Sequence, residues 1–492
     1  MEENRKIGVI HITLYNFIAK LIFSMFLFFV SAYASRNLST HHLGLAQYIT
    51  FTVNLAWLIF NFGGANTLQR YVAVAFVKQQ PKALKKYLFF GVGAAVVSIL
   101  LATGALTTYT YLQPDAQKFP GTIWLLVFQF AVGYLQVMAQ SMFRYRSIFY
   151  INLLVAVIGS VFLVWNIEAH KVNAYVWMYI LVSIIQVICY SILVVRAYLQ
   201  FAQEAPARST EEIVSTKTLL YTCLYFGVSA ILAAALWQRP ELYLVKKYLG
   251  FNKVAEYSVA LNIILLLLEP IKMLGGAMQS YFAGMAHLTD EIKSRFFVFY
   301  KHYTWFAIFS GVSLWVEAEP IVSFVYTSKY ASSAGLVKVL LLGFIPGVCA
   351  HLMMHLFVGL KRTRYLVIQD IIVAALFGSL LLFSFSYMTI ETVSTIKAVS
   401  FMVSFAMAIW YIQVRMKFPF PLFEMIKSLG LSIMLLGVFS LIPGNHIGMI
   451  LLRILLAFAL YFMLSIQLGL IEMRILQNVM GEFKRILGVD KR

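Results

Sequence analysis

Long apolar runs separated by short polar connections make up nearly the whole chain. At the ~20 residues that one bilayer crossing requires, the first seven fall near 12–34, 43–62, 85–112, 122–142, 147–165, 173–196 and 217–237. The next seven fall near 254–283, 296–316, 336–358, 365–387, 391–413, 422–442 and 447–471. No sustained apolar–polar alternation of the membrane-barrel kind competes with them. The fold class read from this pattern is all-α: a polytopic membrane protein of about 14 transmembrane helices. The longest polar stretch, near 196–216, contains Glu204, Pro206, Arg208, Glu211 and Glu212 and separates six runs from eight. It reads as a cytoplasmic linker (204–216) after a first lobe (1–203).

Composition removes most soluble alternatives. Of 492 residues, 61% are hydrophobic and 12% charged, against ~25% charged in an ordinary soluble domain, so neither a water-soluble enzyme nor a large extramembrane catalytic domain fits. The excess of 39 basic over 20 acidic residues, +19 in all, reads on so apolar a chain as attraction of loops to anionic lipid head groups, not nucleic acid. Most of these bases, including Arg5, Lys6, Lys82, Lys85, Arg144, Lys361, Arg362, Arg364, Arg415 and Lys417, fall at the N-terminus and in the even-numbered connections. By the positive-inside rule both termini are therefore expected in the cytoplasm. The basic start and Ala32-Tyr-Ala34 imitate a cleavable signal peptide, but the run is too long and Lys20 interrupts it. Cys189, Cys223 and Cys349 all lie in apolar runs and imply no disulfide framework.

Polar residues recur on single helical faces. At 100° per residue, Thr13, Asn16, Lys20, Ser24 and Ser31 of span 1 fall within roughly 80°, and Gln47, Thr50, Asn54 and Asn61 of span 2 within about 60°. Gln129, Gln136 and Gln140 of span 4 share about 40°, and Ser258, Asn262, Glu269 and Lys272 of span 8 roughly 80°. Such amides either tie helices together or line a wet cavity. Lysine in mid-span is harder to place without a function: Lys272 has Glu269 one turn earlier, whereas Lys20 has no acid within a turn. Arg239, where span 7 meets Pro240, either lines the same cavity or anchors the helix at the interface. Pro240, Pro270 and Pro346 interrupt runs in the second half.

Several other signals lead nowhere. His351 and His355 are four apart, but a third ligand and the zinc-protease glutamate are missing, so no metal site is expected. Gly63-Gly64 lacks the lysine and hydroxyl of a phosphate loop and most simply ends span 2, with Thr67 to Val77 lying at the membrane surface. Glu317 and Glu319, at the outer end of span 9, read as solvated.

The order of these features resembles a known family. Arg36-Asn-Leu-Ser-Thr-His-His-Leu-Gly-Leu-Ala-Gln-Tyr48 and the segment from Asn61 to Tyr71 are similar to the start of Wzx-type polysaccharide-repeat flippases of the multidrug/oligosaccharidyl-lipid/polysaccharide (MOP) exporter superfamily. Arg239 to Gly250, Val254 to Ala260 and the basic turn Gly359-Leu-Lys-Arg-Thr-Arg364 resemble its second half. The resemblance implies two six-helix lobes, here 1–203 and 217–414, around a central cavity, with 415–492 forming two further helices packed outside and a tail. It implies translocation of a polyprenyl pyrophosphate-linked oligosaccharide repeat unit across a bacterial-type cytoplasmic membrane. The expected partners are that lipid-linked oligosaccharide, membrane lipids and other polysaccharide assembly proteins. Relatives that flip the peptidoglycan precursor carry an Arg-Gly-Asp-like motif in helix 1; span 1 here has neither arginine nor acid, which argues against that substrate.

The site expected from the stripes and this resemblance has Lys20, Lys272 and Arg239 as its cationic lining. Asn16, Asn54, Asn61, Gln136, Gln140 and Asn262 are its polar lining. Glu269 is a candidate for coupling to protons or sodium; no other cofactor is expected. The alternatives are a cation-coupled multidrug efflux transporter of the same superfamily and, from another class, a membrane glycan polymerase or ligase. The short outer connections disfavour the latter.

Overall fold

The computed structural model describes residues 2–112, 121–204, 213–284, 289–360, 362–444 and 446–471, with the side chains of 2–16, 110, 112, 204, 229, 233–236, 267–284, 289–291, 359 and 363 outside that description. The helices are α1 (Glu2–Asn37), α2 (Thr40–Phe60), α3 (Gly64–Val77), α4 (Pro81–Leu112), α5 (Gly121–Ser141), α6 (Tyr145–Glu204), α7 (Thr216–Trp237) and α8 (Glu241–Gly284). They continue as α9 (Thr289–Val316), α10 (Ala318–Tyr326), α11 (Ser332–Gly359), α12 (Thr363–Phe383), α13 (Ile390–Trp410), α14 (Leu422–Ser440) and α15 (Ile447–Gln467). Among the described residues there is no strand.

Eleven helices are long and apolar enough to cross a bilayer, or twelve when Ile292–Val316 and Ala318–Tyr326, bent by 72°, count as one span. Two further segments bear on the fourteen runs expected. The 60 residues of α6 would measure about 90 Å if straight, roughly three hydrocarbon cores, and the helix breaks at Lys171 (φ 46°, ψ −121°) into two stretches. Thr216–Leu232, within α7, is a shorter apolar helix. The short α3 is the segment expected after span 2; Leu68, Val72 and Ala75 form its buried stripe.

The connection between spans 7 and 8 departs from the sequence reading. A loop over about 238–253 is expected, yet the chain is helical there and breaks at two places, Gln238–Pro240 and Gly250. Gly250 adopts φ 81° and ψ 176°, which a side chain would strain. The Tyr257 hydroxyl donates to Glu241 Oε1 at 2.7 Å, and Arg239 Nη2 donates to Asn262 Oδ1 at 2.7 Å. These pairs straddle Gly250 symmetrically, so the segment from Glu241 runs antiparallel to the segment after Phe251, with Gly250 at the apex. Arg239 therefore sits about 16 Å below that apex, counted at ~1.5 Å per residue, in a break within the span and not at its end. Pro240 has no N–H and cannot continue α7; the turn is closed by Leu242 N–H donating to the Arg239 carbonyl at 3.0 Å and Tyr243 N–H to that of Pro240 at 3.2 Å.

Two compact units are distinguishable, Met1–Pro270 with Val367–Ile396, and Ile271–Leu366 with Lys397–Arg492. In the first, α1 lies along α6. Asn152 Nδ2 donates to the Ala19 carbonyl at 3.2 Å and its Oδ1 accepts from Tyr190 at 3.0 Å. Gly159 admits Phe26, whose ring would lie 2.7 Å from any added Cβ.

In the second unit α9, α14 and α15 close on an aromatic core. Trp305 stacks on Tyr461 (ring centroids 4.9 Å apart) and donates Nε1–H to Ser465 Oγ at 2.7 Å. The expectation that Glu317 is solvated is overturned here. Glu317 is 3% exposed and accepts from Arg453 Nη2 at 2.7 Å, while Arg453, 5% exposed, also donates Nη1–H to the Ile442 carbonyl at 3.0 Å. Arg453 lies inside α15 and needs this carboxylate, because a guanidinium in an apolar helix pair is strongly unfavourable unpaired. Glu319, by contrast, has a side chain 73% exposed and pairs with Lys338 at 2.9 Å.

Replacing Arg453 by alanine leaves a buried carboxylate uncompensated and should destabilise the protein by about 3–5 kcal/mol, whereas Glu319→Gln should change stability by less than about 1 kcal/mol. Thermal unfolding in detergent, followed by the loss of a monodisperse elution peak, measures both; equal effects would contradict the assignment.

Candidate functional site: a polar cavity in the first unit

Six helices of the first unit surround a cavity of about 310 Å³. α1 contributes Phe23, Leu27 and Ser31, four residues apart and so on one face. α2 contributes Gln47, Thr50, Phe51 and Asn54, and α5 contributes Gln129. Tyr175 and Tyr179 enter from α6 just after its turn at Lys171, again one helical turn apart. The break between α7 and α8 supplies Trp237, Gln238 and Arg239, and α8 supplies Asn262 and Leu265.

A continuous chain of hydrogen bonds joins these elements. Arg239 Nη2 donates to Asn262 Oδ1 at 2.7 Å, and Asn262 Nδ2 donates to Ser31 Oγ at 2.8 Å. Ser31 Oγ also accepts from Gln47 Nε2 at 3.3 Å, which is 3.3 Å from the Tyr175 hydroxyl as well. The Tyr175 and Tyr179 hydroxyls are 3.5 Å apart. Among the described residues that line the cavity, Arg239 is the one charged residue and none is a carboxylate. Glu241, two residues away, is 1% exposed and holds the Tyr257 hydroxyl outside the lining. The chemistry is that of a small polar chamber with one guanidinium, several amides and phenols, and aromatic walls. It offers hydrogen-bond donors and a positive charge to an anionic, hydroxyl-bearing ligand.

The sequence-derived residues are distributed unevenly over this geometry. Arg239, Asn54 and Asn262 line the cavity. Lys20 is exposed on α1; it is in register with Leu27 and Ser31 to within about 20° at 100° per residue, and so continues the cavity face toward the N-terminal end of that helix. Asn61 serves the backbone, its Nδ2 donating to the Trp57 carbonyl at 2.7 Å and its Oδ1 accepting from Gly63 N–H at 2.9 Å. Gln136 and Gln140 are partly buried further along α5 and do not line it. The side chains of Asn16, Glu269 and Lys272 lie outside the described residues. The rings of His351 and His355 are 4.9 Å apart, and no group of three metal-ligating side chains occurs among the described residues. Tyr175, Tyr179, Trp237 and Gln238 are cavity residues that polar-stripe counting passes over; the i, i+4 tyrosine pair beside the turn at Lys171 is the signal that would have found the first two.

α2 touches the α7–α8 segment both above and below the cavity. Near its start, a Cβ on Gly44 would meet the Phe251 carbonyl oxygen at 1.8 Å. Just beyond its end, a Cβ on Gly63 (φ +73°) would meet the Cys223 oxygen and Gly227 nitrogen at 2.4 Å, and one on Gly227 would meet the Phe62 carbonyl carbon at 2.8 Å. Glycine is required at each point because backbone meets backbone.

No protein-family model and no curated protein matches the chain. Solved structures match it in fold. The lipid II flippase MurJ in an inward closed conformation is 14% identical, with 94% of this chain and 97% of that one covered at a TM-score of 0.64. The MATE transporter VcmN of Vibrio cholerae is 12% identical, with 85% and 98% covered at 0.61. A MOP superfamily transporter from Pyrococcus furiosus, whose binding pocket is described as of reverse polarity, suggesting a different function, is 12% identical, with 83% and 95% covered at 0.59. The chain is a multi-pass membrane protein with the all-helical fold that these flippases and transporters share.

Proposed function

We propose that the protein is a flippase that moves a polyprenyl pyrophosphate-linked oligosaccharide repeat unit across the cytoplasmic membrane of a bacterial-type cell by alternating access. The observation that carries this reading is a cavity in which Arg239 is the one charged group among the described lining residues, ringed by Gln47, Asn54, Gln129 and the two tyrosines. Arg239 meets the pyrophosphate, the amides and phenols hydrogen-bond sugar hydroxyls, and Phe51 and Trp237 offer faces to the sugar rings. At about 310 Å³, near the lower end of the ~300–1,000 Å³ usual for ligand sites, the chamber holds only the pyrophosphate and adjoining sugar. The prenyl tail stays in lipid. The helix break at Arg239 follows the pattern of discontinuous helices at transporter binding sites.

Lys20, on the same face of α1 nearer the cytoplasmic end, is the entry cation. Both termini are cytoplasmic in this reading, and lobes 1–203 and 217–414 rock about the site. The match along 94% of the chain to a protein named as a lipid II flippase, against 83–85% for the Pyrococcus and Vibrio transporters, supports a lipid-linked substrate. The shared MATE fold favours cation-coupled drug efflux as the second reading, but a lining whose described residues carry a cation and no acid disfavours organic cations.

Deleting the protein should remove surface glycan and leave lipid-linked repeat units on the cytoplasmic leaflet, and Arg239→Ala or Lys20→Ala should reproduce this at normal protein abundance. Drug resistance lost with surface glycan intact would support efflux instead. The glycine contacts give a second test. Gly44→Ala forces α2 off Phe251, so a cysteine at Asn54, in a background without the three native cysteines, should react several-fold faster with an impermeant maleimide; an unchanged rate would contradict closure at this point.

A further inference from the structure

Asn262 reads from the sequence as one more amide facing a sugar. Its hydrogen bonds say otherwise: Oδ1 accepts from Arg239 at 2.7 Å and Nδ2 donates to Ser31 at 2.8 Å. Both ends of the amide are thus engaged by protein. Its orientation is also fixed, because a flip would set an NH2 group against the guanidinium and an oxygen against the Ser31 oxygen. That oxygen in turn accepts from Gln47, itself 7% exposed and within reach of Tyr175. One helix each thereby backs the amide from α1, α2 and α6.

Arg239 lies in a three-residue break, Gln238–Pro240, where no helical backbone holds it. A long side chain on an irregular segment samples many rotamers, and ordering it on ligand binding lowers affinity. An amide acceptor restrains that freedom and itself brings no negative charge. A carboxylate at the same place would fix the arginine equally well but would pair with it in bidentate fashion and neutralise it.

We infer that Asn262 is a positioning residue: through Ser31 and Gln47 it holds the Arg239 guanidinium toward the cavity in a charged, preorganised state for the phosphate of an anionic prenyl ligand. The inference rests on the cavity reading above and adds to it which residue sets the anion preference and why it is an amide.

The test compares binding of farnesyl pyrophosphate and of neutral farnesol to the full-length protein in nanodiscs, for the wild type, Arg239→Ala, Asn262→Asp and Asn262→Ala. Asn262→Asp keeps size and shape and changes only the charge presented to Arg239. It should weaken farnesyl pyrophosphate by at least about tenfold, the scale of a hydrogen bond to a charged group, and leave farnesol unchanged. Asn262→Ala should weaken the pyrophosphate less, since it frees the arginine without neutralising it. Wild-type pyrophosphate affinity in Asn262→Asp, with affinity lost in Arg239→Ala, would overturn the positioning role and leave the cavity reading standing. Wild-type affinity in both variants would overturn the cavity reading itself. Equal loss of both ligands with a lowered unfolding temperature in Asn262→Asp would show a structural role only, and also overturns the inference.

Discussion

A guanidinium inside a membrane-spanning bundle must be met by partners that the fold provides, because transfer of an unpaired charge from water is far too unfavourable for a marginally stable protein to bear. The chain meets this constraint twice, with different chemistry each time. Arg453 reaches the carboxylate of Glu317 and a backbone carbonyl, is almost wholly buried, and fastens α15 to the junction of α9 and α10. Arg239 reaches an amide, Asn262, at the wall of a cavity whose described lining residues include no carboxylate. The first arrangement consumes the charge in holding helices together. The second sets a charge at a cavity wall.

The surrounding architecture follows from where Arg239 lies. Pro240 stops α7, so the arginine and its neighbours Trp237 and Gln238 leave the helix cylinder and can face a chamber. Gly250 then lets the chain double back, which carries Asn262 to the depth of Arg239. The close backbone approaches at Gly44 and at Gly63 and Gly227 draw α2 against this hairpin on either side of the cavity, leaving Gln47, Thr50 and Asn54 between them as lining. Side chains reinforce these backbone approaches: the Phe251 ring packs edge-on against His41 and Tyr48 at one end, and the Tyr71 and Thr222 hydroxyls meet at 3.4 Å at the other.

Much of this was legible in the sequence, for physical reasons that also explain what was not. Span number and helical class follow from the length and apolarity a bilayer demands, so the fourteen runs needed no tertiary information. The stripes on α1, α2 and α8 were visible because polar groups in hydrocarbon must share a face, and Ser31, Asn54 and Asn262 do meet at one cavity. Asn61 belongs to the same stripe by angle but ends its helix, where the backbone claims its amide. Arg239 was placed correctly beside Pro240, yet its depth was hidden: hydropathy marks an apolar run as ended by charge, and only the pairing across Gly250 shows that the span continues. Glu317 and Arg453 are 136 residues apart, and nothing local in either segment announces the other. Tyr175 and Tyr179 count as ordinary amphipathic membrane residues until neighbouring helices bring their hydroxyls to Gln47.

The most direct measurement is a cryo-electron microscopy map of the protein in nanodiscs with a polyprenyl pyrophosphate-linked saccharide. Phosphate density within hydrogen-bonding distance of the Arg239 guanidinium, with the first sugar between Tyr175, Tyr179 and Asn54, is the predicted result. A saturated ligand whose phosphates lie elsewhere, with this chamber vacant, would contradict the account.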